Sequence, residues 1–311
     1  MTADSDRTGG QTGGRIAADI LRIRAPNPSP MTGSGTNTWC LGERRLLIVD
    51  PGPDDDDHLA RIVAATAGRR VAGILLTHGH RDHTALAPRL AQALDAPLMA
   101  FAPSQASGRA GALGLTFDRS ISQPAGTSGA RDNATEQQAA APLAPDIALQ
   151  DGDEVEGWAV LHTPGHMHDH ICLWRGDGTL VTGDTVMGWA TSIIPPPSGD
   201  LIDYMASLAR LAALRPRLGL PGHGEVLADA GARIATLAAH RRAREASIVA
   251  ALAEGPATCT ELTARSYAGL PEHLRFAAEL TCIAHLIALA SEGRATTTGG
   301  PWRSAVFAKA G

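Results

Sequence analysis

The sequence has few cysteines, almost no lysine and no long apolar run. Its four cysteines are scattered without a C-x-x-C pair, which favours reduced, buried thiols over a disulfide framework. No apolar run reaches the roughly 18 residues of a membrane span, and the N-terminal stretch lacks the apolar core of a secretory signal. We therefore expect a cytoplasmic protein with no membrane partner.

Charge excludes a further class of protein. Lys309 is the only lysine among 27 basic residues, a bias toward arginine that carries no functional message. The net charge of −5 argues against a protein that holds nucleic acid through a broad basic surface. With 44% hydrophobic and 19% charged residues over 311 positions, the chain can bury a large core. Length and composition together predict one large α/β domain with a smaller appendage.

The order of apolar runs predicts how the chain is divided. Residues 1–15 are polar and glycine-rich, and we expect a disordered tail there. The main domain is expected over residues 16–231, with a surface insertion at about 118–146 that is rich in Ala, Ser, Gly and Pro. Within it we predict strands at 45–49, 71–76, 97–100, 156–162, 170–174 and 179–182, and helices at 55–66, 85–94 and 201–214. Helices followed by a hairpin predict a winged-helix-like domain over 232–311.

The densest group of chemically active side chains follows the second predicted strand. Residues 77–83 read THGHRDH and place three imidazoles and one carboxylate in a loop at the end of a strand. Sites in α/β folds lie at such strand ends. Imidazole nitrogen and carboxylate oxygen are ligands that zinc favours. The motif therefore predicts a metal site.

Three later motifs add further ligand types, and the first two of them come behind a predicted strand. They read TPGHMHDH (163–170), TGD (182–184) and PGHG (221–224). Seven of the 12 histidines fall inside the four motifs. Glycines on both sides of His223 let the backbone bring that imidazole close to a shared centre.

In this order, HGHRDH, TPGH, GD and PGHG resemble the metallo-β-lactamase superfamily of hydrolases, over roughly residues 27–227. The resemblance implies an α/β fold, an αββα sandwich with a two-metal site at one edge. It assigns His78, His80 and His166 to the first metal, Asp82, His83 and His223 to the second, and Asp184 to a bridge between them. Two zinc ions are expected, with iron or manganese as alternatives.

The resemblance also implies the chemistry. Two cations sharing one water lower its pKa, so we expect a hydrolase that uses a metal-bridging hydroxide on an ester, thioester or phosphodiester. Asp82, as both ligand and orienter of that hydroxide, is the expected catalytic residue. Neither a serine nor a cysteine nucleophile stands out in the sequence.

A narrower resemblance extends over most of the chain. Residues 27–39, the motifs TPGH and PGHG, and the pairs His240-Arg241 and Arg244-Glu245 resemble the beta-lactamase-like protein 2 group, which carries a C-terminal winged-helix-like domain. This resemblance leaves two substrates open, a small acyl compound and single-stranded RNA cleaved by an endoribonuclease. Residues 255–311 carry a net charge of only about +1. We therefore expect this domain first to form a wall of the substrate cleft or an oligomer contact, and only second to bind nucleic acid. A homodimer through the helical stretch 228–254 is a further expectation.

The remaining polar residues near the motifs allow two interpretations each. His168 could donate a proton to a leaving group or simply face solvent, whereas His170 fits a supporting residue beside the ligands. Thr191 and Ser192 could shape the substrate entrance or form a rigid turn. The cluster Arg233, Arg241, Arg242 and Arg244 is expected to form a solvated helix face.

Two other functional classes compete with the hydrolase. One is a nucleic-acid-binding regulator with a structural metal site, against which the complete hydrolytic ligand set argues. The other is a di-iron oxidoreductase, which in flavin-partnered relatives of the superfamily works with a flavodoxin-like domain that does not follow here.

Overall fold

A computed structural model describes residues 13–102, 104–117, 144–267 and 269–311. Its strands are β1 (Gly13–Ala17), β2 (Ile20–Arg24), β3 (Asn37–Leu41), β4 (Arg45–Val49), β5 (Arg70–Leu75), β6 (Leu98–Phe101), β7 (Leu115–Thr116), β8 (Ile147–Leu149), β9 (Glu154–Val155), β10 (Trp158–His162), β11 (Ile171–Arg175), β12 (Thr179–Gly183), β13 (Leu218–Pro221), β14 (Ala257–Thr258), β15 (Ala295–Thr297), β16 (Gly300–Pro301) and β17 (Val306–Lys309). Its helices are α1 (Asp56–Thr66), α2 (Arg81–Thr84), α3 (Ala87–Leu94), α4 (Arg109–Ala112), α5 (Leu201–Ala213), α6 (Ala230–Ala253), α7 (Cys259–Ser266) and α8 (Arg275–Ser291), with a 3₁₀ turn at Glu272–Leu274.

Two mixed sheets pack face to face and form the centre of the main domain. The first has the strand order β1-β2-β3-β4-β5-β6-β8 and the second β13-β12-β11-β10-β9. Alternate side chains of each strand point to the space between the sheets, so apolar residues of both sheets share one core there. Trp39 and Leu75 of the first sheet meet Val160 and Val181 of the second in this core.

Helices cover the outer face of each sheet. Ile62 of α1 and Leu90 of α3 pack on the first sheet, within one buried cluster that includes Ile74. Residues of α5 and α6 pack on the second sheet in the same way, with Leu208 and Ile234 among the buried side chains. The layers therefore run helix, sheet, sheet, helix, which confirms the predicted αββα sandwich.

The C-terminal part is a small helical unit with its own core. α7, α8 and the C-terminal half of α6 enclose apolar side chains such as Leu262, Ile283 and Phe307 beside a three-stranded sheet of order β14-β17-β15. This is the predicted winged-helix arrangement. The unit is also joined to the sandwich, since β16 pairs with β7 and Ala284 of α8 lies in the cluster that covers the second sheet.

Three boundaries differ from the sequence-based expectations or cannot be compared with them. Of the expected tail 1–15, residues 1–12 lie outside the described residues, whereas 13–15 belong to β1, because their backbone pairs with β2. The expected insertion at 118–146 lies outside the described residues except for 144–146. The expected domain boundary near 232 falls in the first turn of α6, and this one helix packs on both parts of the chain.

Over the ranges that the structure describes, no helix is both long enough and apolar enough to cross a bilayer.

Candidate metal centre

The loop THGHRDH connects β5 to α2 at the edge of the first sheet. His78 and His80 lie in the loop itself, and Asp82 and His83 lie in the first turn of α2. All four side chains are buried. Main-chain hydrogen bonds fix the turn, since the amides of His83 and Thr84 both donate to the carbonyl of His80.

The first group of converging side chains contains three imidazoles. Nε2 of His78 and Nε2 of His166 each lie 3.0 Å from Nδ1 of His80. Two nitrogens bound to one zinc ion at about 2.1 Å, at an angle between about 90° and 110°, are separated by about 3.0 to 3.4 Å. The three ring nitrogens therefore have the spacing of ligands to a common ion.

The second group combines two imidazoles with a carboxylate. Nε2 of His223 lies 3.1 Å from Nε2 of His83 and 3.2 Å from Oδ2 of Asp82. Oδ2 of Asp82 is 3.6 Å from Nε2 of His83. All three atoms therefore point to one place, as the ligands of a second ion would.

Asp184, directly after β12, lies between the two groups. Its Oδ2 is 3.8 Å from Nε2 of His166 and 3.4 Å from Nε2 of His223, so one carboxylate faces both groups. Oδ1 of Asp184 and Oδ1 of Asp82 are buried and have no hydrogen-bond partner within the described ranges. An unpartnered buried carboxylate oxygen is costly unless a cation satisfies it. The residues thus fit a pair of divalent cations, and the site is compatible with a dinuclear centre.

The electrostatics separate the two groups. Burial, together with His83 and neighbouring imidazoles, holds the pKa of His78 well below its usual range, and burial and His166 lower the pKa of His80 to about 3. Burial also disfavours the protonated forms of His83 and His223. The carboxylates that face these rings outweigh burial, so the pKa of His83 lies well above its usual range and that of His223 is raised to about 9. The first group is therefore neutral and ready to coordinate. The second holds protons that a cation would displace.

A carboxylate that the sequence analysis missed supports the loop from below. Asp50 follows β4, is 1% exposed, and accepts a hydrogen bond from Nδ1 of His83 at 2.9 Å. It also accepts from the amide and the hydroxyl of Thr77, at 2.8 and 2.7 Å. Because Nδ1 keeps its proton for Asp50, Nε2 of His83 is the nitrogen from which a cation would displace a proton and which would then serve as the ligand.

Similar contacts orient other groups of the site. Nδ1 of His166 donates to the carbonyl of Ile193 at 2.6 Å. Nε2 of His170 accepts the amide N–H of Asp184 at 3.1 Å, and its Nδ1 lies 3.0 Å from the hydroxyl of Thr163. Over the described ranges, His170 does not join any group of converging ligand atoms. Its contacts hold the backbone of Asp184 in place.

The other residues considered beside the ligands have different surroundings. Ser192 is buried, and its hydroxyl donates to the carbonyl of Asp184 and lies 3.1 Å from that of Thr185. Thr191 is half-buried. His168 is also half-buried, with an Nδ1 atom that has no hydrogen-bond partner in the described structure.

The PGHG loop depends on glycine at position 222 and on hydrogen bonds from Asn37 of the first sheet. A Cβ on Gly222 would lie 2.4 Å from Oδ1 of Asp184 and 2.7 Å from Cε1 of His83, so a larger residue would displace a ligand. The buried amide of Asn37 donates to the carbonyls of Pro221 and Gly224, at 3.0 and 2.9 Å. Asn37 is a second supporting residue that the sequence analysis missed.

Two groups of metal-ligand side chains at one edge of an αββα sandwich are the architecture of a metallohydrolase. The model of the metallo-beta-lactamase superfamily matches residues 31–223, and that of the beta-lactamase associated winged helix domain matches residues 258–302. The chain belongs to the metallo-beta-lactamase superfamily and is a metal-dependent hydrolase.

Individual relatives span nearly the same length. A beta-lactamase-like protein 2 homolog of Drosophila melanogaster is 30% identical over 294 residues, 90% of each chain. An atrochrysone carboxyl ACP thioesterase of Aspergillus fumigatus is 30% identical and covers 82% of this chain and 76% of its own. Among solved structures, a metallo-beta-lactamase family protein from Thermus thermophilus has a TM-score of 0.72 and 26% identity, and covers 95% of this chain and all of its own.

Proposed function

We propose that this enzyme hydrolyses a small acyl ester or thioester at a dinuclear zinc centre. The observation that carries the proposal is the position of Asp184 between two groups of ligand atoms. His78, His80 and His166 would hold one ion, Asp82, His83 and His223 the other, and Asp184 both. Iron and manganese suit the same donor atoms.

When bound, two divalent cations would activate water and polarise the substrate carbonyl. The protein's own groups then have three tasks. Oδ1 of Asp82, which has no hydrogen-bond partner among the described residues, would accept a hydrogen bond from the attacking water. Asp50 and the carbonyl of Ile193 hold a proton on Nδ1 of His83 and of His166, so Nε2 of each ring is the nitrogen that would bind an ion. His170 and Ser192 hold the backbone of Asp184, so the carboxylate keeps its direction.

The surroundings of the centre favour an acyl substrate. Trp189 is 46% exposed, and the indole packs against Gly33 and against Gly224, the neighbour of His223. This indole offers an apolar surface beside the second ligand group, suited to the carbon skeleton of an acyl group. The thioesterase named among the relatives supports the same substrate class.

Single-stranded RNA is the alternative substrate, and the arginines on α6 do not favour it. Arg241 is buried, and Arg233 donates to the carbonyls of Met187 and Ala190, at 2.7 and 2.8 Å. These two side chains hold the loop that carries Trp189. They are therefore not part of the solvated arginine face that was expected, nor of a basic surface for a phosphodiester chain.

The proposal is tested with zinc-loaded protein on a short-chain acyl thioester and, in parallel, on labelled single-stranded RNA. Asp82→Ala should lower thioester turnover by more than about 100-fold, the upper range for residues that only support a ligand. Asp57→Ala, an exposed carboxylate on α1, is the matched control and should keep full activity. RNA cleavage that is lost in Asp82→Ala, without thioester turnover, would replace the acyl substrate by RNA. Full activity of Asp82→Ala would refute the mechanism.

A further inference from the structure

Unpartnered polar atoms gather at a second place, between α6, the end of α7 and α8. Arg241 and Arg244 lie almost one turn apart on α6, and His285 lies on α8. Ser266 is the last residue of α7, and Tyr267 follows it. Arg241 is 2% exposed and His285 is 1% exposed. Arg244, Ser266 and Tyr267 are half-buried and connect this group to the surface. We call these five residues the arginine cluster.

The two guanidinium groups use only part of their hydrogen-bonding capacity. Nη2 of Arg241 donates to the carbonyl of Ser192, and Nη1 of Arg244 donates to the carbonyl of Ser266 at 3.1 Å. Their planes also contact aromatic rings, with Arg244 lying 3.8 Å from the ring centre of Tyr267. The Nε atom of each arginine is nevertheless buried and has no partner in the described part of the chain.

The other members of the cluster are unpartnered as well. The hydroxyls of Ser266 and Tyr267 and both ring nitrogens of His285 are buried, with no hydrogen-bond partner among the described residues. Together with the two Nε atoms, six polar atoms of these five described residues lack a partner. Buried polar groups are seldom left in this state unless a bound group completes them.

The two arginines of the cluster lack a carboxylate partner among the described residues. Within the described ranges, no carboxylate forms an ion pair with Arg241 or Arg244, and the adjacent Glu245 pairs with Arg294 at 2.7 Å. Burial, and then Arg241, Arg244 and His240, lower the pKa of His285 to about 3, so this imidazole is neutral and adds no charge to the two arginines. Buried charges are normally paired. An anion that offers several acceptor oxygens would supply both the missing charge and the missing hydrogen bonds.

We propose that the arginine cluster is a binding site for a phosphate group, either orthophosphate or a phosphate monoester. Phosphate accepts hydrogen bonds on every oxygen, which matches the Nε–H groups, the two hydroxyls and one N–H of neutral His285. None of the five residues belongs to either group of converging ligand atoms, and Arg241 contacts Ser192 on the side of the metal centre.

Calorimetric titration of the zinc-loaded protein with orthophosphate, and separately with adenosine monophosphate, tests this site. Arg244→Gln should weaken phosphate binding by about tenfold or more, the scale of a lost charge-assisted hydrogen bond. Arg242→Gln removes the same charge from an exposed position two residues away and should change the affinity less than about twofold. Tyr267→Phe keeps the ring and its stacking but should also weaken binding.

The variants separate the possible outcomes. Binding of orthophosphate alone identifies a free ion as the ligand, and tighter binding of adenosine monophosphate identifies a monoester. Phosphate that binds at the metal centre would respond to Asp82→Ala and not to Arg244→Gln, and that pattern would count against the arginine cluster. Equal affinities of the wild type, Arg244→Gln and Tyr267→Phe would overturn the proposal.

Discussion

Asp50 should decide how firmly the second ion is held, although the carboxylate lies behind the ligands. One oxygen of Asp50 accepts the Thr77 amide, and the other accepts the Thr77 hydroxyl and Nδ1–H of His83. In Asp50→Asn, the side-chain carbonyl oxygen must stay beside the main-chain N–H of Thr77, because that N–H can only donate. The new NH₂ group then faces Nδ1 of His83 and turns that nitrogen into an acceptor.

The consequence falls on the ligand atom. With Nδ1 accepting, the proton of neutral His83 moves to Nε2, which faces the second group, and the lone pair needed by the ion is lost. Removing an orienting partner of a histidine ligand typically costs about 10- to 100-fold in metal affinity. This corresponds to about 1.4 to 2.8 kcal/mol for one ion. The first group, which His83 does not complete, should keep its affinity.

A competition titration with a chromophoric zinc chelator measures both binding steps. Asp50→Asn should retain one tight equivalent and weaken the other. Asp54→Asn is the control, because it removes an equally charged carboxylate whose side chain is 52% exposed and pairs with Arg89 at the surface. Two wild-type affinities in Asp50→Asn would refute the tautomer argument.

Two further predictions concern the same centre. Zinc binding at pH 7 should release protons. Burial disfavours protonation of His223, but Asp184 outweighs that effect and raises the pKa of His223 to about 9, so this imidazole is protonated in the metal-free protein. Zinc binding should therefore tighten as the pH rises toward 9. Calorimetry in buffers of different ionisation enthalpy measures the release, and a heat independent of buffer would contradict it. Gly222→Ala should lose one zinc equivalent, because the new methyl group would lie 2.4 Å from Oδ1 of Asp184. Gly176→Ala should bind two, because a methyl group there would have no described atom within 4 Å beyond its chain neighbours. Elemental analysis counts the ions, and two equivalents in Gly222→Ala would contradict this geometry.

Short-range sequence patterns locate the four motifs in the fold because each lies at, or just after, the C-terminal end of a strand. The predicted strand at 45–49 coincides with β4, and the one at 71–76 differs from β5 by a single residue at each end. Parallel neighbours such as β4 and β5 deliver their C-terminal loops to one edge of a sheet, so short-range patterns are enough to place the site there.

Supporting residues depend on contacts that are distant in sequence. Asp50 acquires its role from Thr77 and His83, which lie 27 and 33 residues away. β3 was missed because all five of its residues are buried, including polar Asn37, so alternation of apolar and polar residues is absent. Arg241 was expected in solvent, but its long side chain is buried beside the ring of Tyr204 and contacts Ser192. Only tertiary packing determines these three environments.

Anomalous diffraction from crystals of the zinc-loaded protein would locate the bound ions and identify their ligands. We expect two peaks at one sheet edge. The first should lie within bonding distance of His78, His80 and His166, the second within bonding distance of Asp82, His83 and His223, and the carboxylate of Asp184 should reach both. A single peak, or a pair of peaks bound by other side chains, would contradict this assignment.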